Sequence, residues 1–127
     1  MATADEVFQA LVKQDGFEID NENWTENTYI GKYIVPGKVQ LYFQTGTSED
    51  SPGVPNFGLW LEGGIEDKNS QLYKNLKVEL HNIVSGDLEE EDGFIYVLIN
   101  NLDDRTVNWA LKTIQELERR VLFEFSR

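Results

Sequence analysis

The chain contains no cysteine, one histidine and three prolines. Without cysteine there is no disulfide scaffold, no thiol nucleophile and no cysteine-ligated zinc. A single histidine, His81, leaves no cluster of imidazoles for a metal and no histidine pair for proton shuttling. Basic residues are scarce, 11 against 23 acidic ones, and the formal net charge is −12. That balance opposes direct binding to nucleic-acid phosphates and to an anionic membrane surface. No run approaches the roughly 18 apolar residues of a membrane span. The first residues, Met-Ala-Thr-Ala-Asp-Glu, lack the basic stretch and apolar run of a secretory leader, so the expected location is cytoplasmic. Asn23-Trp24-Thr25 matches a glycosylation sequon, which is a coincidence without a secretory route.

What is present is enough for one globular domain over residues 1–127, with 40% hydrophobic and 12% aromatic residues. Thr3 followed by Glu6 reads as a capping box, and Val7, Phe8, Leu11 and Val12 share one helical face, predicting a helix over 4–14. Phe17 to Thr28 is acidic and reads as an irregular connection. Strands are expected at 29–35 and 38–45 around Pro36-Gly37, which suits a type II turn. In the second of these Val39, Leu41 and Phe43 alternate with polar residues. Gly46 to Pro55 reads as a mobile loop. Phe57, Leu59 and Leu61 mark a third strand. Ser70 caps a helix that Gly86 closes, Asp87 to Asp92 reads as a solvated acidic turn, and Phe94–Ile99 as a strand apolar on both faces. A last helix is expected from Asp103, with Lys112 and Glu116 paired at i,i+4.

The expected fold is therefore α+β, in the order αβββαβα. A three-stranded antiparallel meander is joined by a buried fourth strand and flanked by helices, and the doubly apolar fourth strand points to three layers.

Glu62, Glu66 and Asp67 form the best carboxylate cluster near a strand end, the arrangement that could hold Mg²⁺. The element order resembles the PD-(D/E)XK nuclease core. That family places an Asp after the first hairpin turn and a Glu-x-Lys on the next strand. Here Glu62-Gly63-Gly64 has glycine where lysine belongs, and Lys38, Gln40 and Tyr42 offer no carboxylate on the preceding strand. The resemblance thus implies a catalytically degenerate nuclease-like domain. Nucleophile elbows, phosphate-binding glycine loops and calcium loops are all missing from the sequence.

The remaining candidates are acids and aromatics. Trp60 lies opposite Phe57, Leu59 and Leu61 in the strand alternation. Either helices cover its face and bury Trp24, Tyr42 and Trp60, or these three form an exposed patch beside the acidic connection. Aromatics rimmed by acids make an anchor-and-rim interface for a basic partner. The sequence reading is a small acidic, non-enzymatic interaction protein without cofactor or metal. Its partner would be a basic protein, such as a nucleic-acid-processing enzyme that it inhibits. The contact residues are Glu18, Asp20, Glu22, Trp24, Glu26, Trp60, Glu89, Glu90, Glu91 and Asp92. The alternative is a small-ligand-binding or degenerate nuclease-like domain with its pocket near Glu62 and His81.

Overall fold

Each helix starts on a side-chain hydroxyl, because the first backbone N–H groups of a helix have no partner within it. The computed structural model describes residues 2–20, 29–45 and 54–127. In α1 (Ala4–Val12) the Thr3 hydroxyl accepts from the Glu6 N–H at 3.2 Å. In α2 (Gln71–Ile83) Ser70 accepts from the Tyr73 N–H at 3.1 Å, and in α3 (Val107–Ser126) Thr106 accepts from the Trp109 N–H at 3.0 Å. The last helix therefore begins later than the acidic pair implied. Asp103 and Asp104 sit in a short 3₁₀ turn, Leu102–Asp104, because Thr106 is the better cap. Glu116 binds Arg119 and Arg120 instead of Lys112.

The strands β1 (Glu18–Asp20), β2 (Tyr29–Val35), β3 (Val39–Gln44), β4 (Asn56–Leu61), β5 (Asp87–Glu91) and β6 (Phe94–Leu98) form one sheet. Its order is β1-β2-β3-β4-β6-β5, antiparallel throughout. The α+β class and the central meander follow the sequence pattern. Two acidic segments do not. Residues 18–20, expected to be irregular, pair with β2, and residues 87–91, expected to be a turn, pair with β6. Both are edge strands. Such a strand needs backbone partners on one side only and leaves its charges in water, so β-branched residues are dispensable there.

Register assigns the two faces. Ile30, Phe43, Phe57 and Val97 lie side by side across β2, β3, β4 and β6, as do Leu41, Leu59 and Ile95 on β3, β4 and β6. All are buried against Phe8 and Leu11 of α1, Leu76 and Leu80 of α2, and Ile114, Leu117 and Val121 of α3. Burying a side chain of this size stabilises by roughly 1.5–3 kcal/mol. Lys32 of β2 is bound to Glu118 of α3 at 3.1 Å, and Asn75 of α2 to Glu124 of α3 at 3.2 Å. All three helices pack on this one face, so among the described residues there are two layers, not three. The fourth-strand residues that pointed to a third layer, Phe94, Tyr96 and Leu98, pack instead with Tyr29, Tyr42, Val54 and Trp60.

Candidate functional site

On the face that no helix of the described residues covers, the helix-free face, alternation brings forward Tyr29, Gly31 and Tyr33 from β2, Gln40, Tyr42 and Gln44 from β3, and Asn56, Gly58 and Trp60 from β4. Phe94, Tyr96 and Leu98 come from β6. The aromatics form a continuous chain. Tyr29 stacks on Tyr42 at 5.0 Å between centroids, and Tyr42 meets Phe94 edge-on at 5.8 Å. Phe94 stacks on Trp60 at 5.8 Å, and Trp60 touches Tyr33 at 6.3 Å. These are favoured geometries for aromatic pairs.

Gly58 makes the chain possible. A Cβ there would lie 2.6 Å from the Tyr96 Cβ and 2.7 Å from the Tyr42 hydroxyl, so only glycine lets both rings lie over β4. Tyr42 is 2% exposed, and burial, with Tyr29, Tyr96 and Glu91 nearby, pushes its phenol well above the ordinary value. The accessible end of the chain is the other one: Trp60 and Phe94 are half-buried and Tyr33 is 42% exposed.

Carboxylates flank this face at both edges. Glu18 of β1 stands opposite Gly31, while Glu89 and Glu91 of β5 stand opposite Tyr96 and Phe94. Glu91 accepts from the Tyr96 hydroxyl at 2.9 Å. Beside Trp60 an open cavity of about 340 Å³ is lined by Leu61, Glu62, Glu66, Lys68, Asp92 and Gly93. Partial burial and a hydrogen bond to Glu62 raise the Tyr33 phenol.

Several sequence-predicted residues thus converge. Trp60, Glu91 and Asp92 share one end of the face, and Glu18 and Glu89 lie along its edges. Glu90 points the other way. It accepts from the Tyr73 hydroxyl at 2.5 Å and from Lys77 at 2.9 Å, and these bonds hold its carboxyl below the usual range. Asp20 pairs with Tyr29 through the backbone, but its side chain lies outside the described residues, as do Glu22, Trp24 and Glu26.

Two of the three carboxylates near β4, Glu66 and Asp67, have local structural bonds, while Glu62 and Glu66 line the cavity beside Trp60. Glu66 accepts from the Gly64 N–H at 2.8 Å and Asp67 from the Asn69 N–H at 2.9 Å, so both brace the turn before α2. Among the described residues no group of three His, Cys, Asp or Glu could hold a metal ion. His81 is exposed on α2 and does not line the cavity beside Glu62.

Tyr33 and Phe94 were missed as site residues. Parity within β2 or β6 does not say which face lies beside Trp60; the cross-strand register Tyr33↔Gln40↔Trp60↔Phe94 does. No helix of the described residues is long and apolar enough to cross a membrane. The chain matches no protein-family model, no curated protein and no solved structure.

Proposed function

We propose that this is a non-enzymatic interaction protein that receives a basic protein partner on the helix-free face of its sheet. The contact centres on the end where Tyr33, Trp60 and Phe94 reach solvent. The partner chemistry that fits is a lysine- and arginine-rich groove, such as that of a nucleic-acid-processing enzyme, whose activity the docked protein would block. The observation that carries this reading is a helix-free aromatic face with carboxylates on both of its edges. Aromatic anchors supply contact area at low entropic cost, while acidic rims steer a basic partner and fix its orientation. The cytoplasm is the compartment proposed for this encounter.

The test is capture of partners from host lysate at low and at high salt, read by mass spectrometry. A stoichiometric basic protein, retained at low salt and lost at high salt, is the expected result. Retention of no protein at either salt would remove the reading. A second reading, small-ligand binding, is favoured by the cavity beside Trp60. It predicts binding that changes little with ionic strength.

A further inference from the structure

We infer that the cavity beside Trp60 is an arginine-binding site, taking one guanidinium of the partner; this rests on the docking reading above. The argument begins with the walls. Trp60 offers an indole backed by Phe94, whose ring is 6° from parallel with it, so the indole is held in place. Gly93 sits beside its five-membered ring. The Cβ of any other residue there would lie 3.6 Å from the Trp60 Cδ1 and 3.7 Å from its Nε1, and the left-handed backbone (φ +78°) disfavours other residues in any case. The indole therefore keeps an approach that a side chain at position 93 would narrow.

Charge then selects the occupant. Glu62, Glu66 and Asp92 line the cavity against one cation, Lys68. Glu66 already accepts a backbone N–H, and Glu62 is in hydrogen bond with Tyr33, yet each carboxylate has further acceptor capacity. A flat, cationic group with several donors satisfies both walls at once. Guanidinium stacks on an aromatic ring through one face and presents its N–H fork to carboxylates at its edge. A compact ammonium cannot stack in this way. The protein makes the same contact internally, where the Arg105 guanidinium lies 4.6 Å from the centroid of the Trp109 ring. At about 340 Å³ the cavity has room for the head group and its adjoining methylenes.

The test uses no partner. ¹⁵N-labelled protein is titrated with N-acetyl-arginine N′-methylamide and, separately, with its neutral citrulline counterpart. The Trp60 indole resonance is assigned by its disappearance in Trp60→Phe. The expected result is a saturable shift of that resonance with the arginine probe, little shift with citrulline, and affinity weakened roughly three- to fivefold in Glu62→Gln/Asp92→Asn. An unmoved Trp60 resonance would overturn the assignment, as would equal shifts with both probes or unchanged affinity in the folded double variant. Because the probe is a single residue, its failure leaves the docking reading to be decided by lysate capture alone.

Discussion

The two faces of the sheet are built from the same strands, alternating except at a bulge between Tyr33 and Val35, and yet follow different rules. The helix-covered face carries Ile30, Leu41, Phe43, Phe57, Leu59, Ile95 and Val97, all fully buried. Its side chains are held by shape alone, and its polar contacts lie at the margin, as in Lys32 with Glu118. The helix-free face substitutes rings for aliphatics, carries hydroxyls and amides among them, and ends in carboxylates at both edges. A face meant only to be buried would gain nothing from Gln40, Gln44, Asn56 and four tyrosines. A face meant only for water would not stack five aromatic rings in series. On the docking reading proposed above, the contrast is that of a folding core with a recognition surface.

Variants placed on each side should separate the two roles. Phe57→Ala on the helix-covered face should cost the most, about 3–5 kcal/mol by urea unfolding, since Phe57 is fully buried against Phe43 and Trp109. A cost below about 1 kcal/mol would mean that this core is not close-packed. Gly58→Ala, on the opposite side of the same strand, should cost about 2 kcal/mol through overpacking against Tyr96 and Tyr42. It should also displace the Tyr42 ring, visible in aromatic NMR resonances.

Asn56→Leu tests the price of polarity on the helix-free face. Asn56 is 2% exposed and its Oδ1 has no hydrogen-bond partner among the described residues, so the substitution should raise stability by about 1 kcal/mol. A loss of similar size would show that the amide has a role in the folded state.

The smallest effect concerns Glu90, the acid of β5 that points away from the helix-free face. Its carboxyl is held low by Tyr73 and then by Lys77. Unfolded glutamate titrates near about 4.3. The ionised form is thus favoured by folding, and its contribution is present above that pH and lost as pH falls through the lower folded value. The stability gap between wild type and Glu90→Gln should therefore shrink from about pH 6 to about pH 3. A gap independent of pH would contradict the ion-pair account.

How far the sequence announced this structure depended on where each signal lay. Periodicity exposed α1, α2, α3 and the β2–β3–β4 meander because their apolar residues face one core. It failed for Glu18–Asp20 and Asp87–Glu91, whose pairing comes from the backbone of a neighbouring strand and leaves no apolar trace of its own. The doubly apolar Phe94–Leu98 misled the layer count. Its outward residues are satisfied by rings from β2, β3 and β4 instead of a helix, an outcome set by tertiary register. The acid candidates divided for the same reason. Parity within β5 sends Glu89 and Glu91 to one side and Glu90 to the other, and parity is invisible until the segment is known to be a strand. Trp60 was legible as lying opposite Phe57, Leu59 and Leu61, but not whether a helix covered it, and its partners Tyr33 and Phe94 needed the strand order.

The central claim, that docking belongs to one face and not to net charge, is tested by two charge-matched variants against the captured partner. Glu89→Lys/Glu91→Lys alters the rim of the helix-free face, and Asp103→Lys/Asp104→Lys alters exposed acids beside the helical layer. Affinity should fall at least roughly tenfold in the first and stay within about twofold in the second. Equal weakening in both would contradict the account and reduce the acidity to a general field.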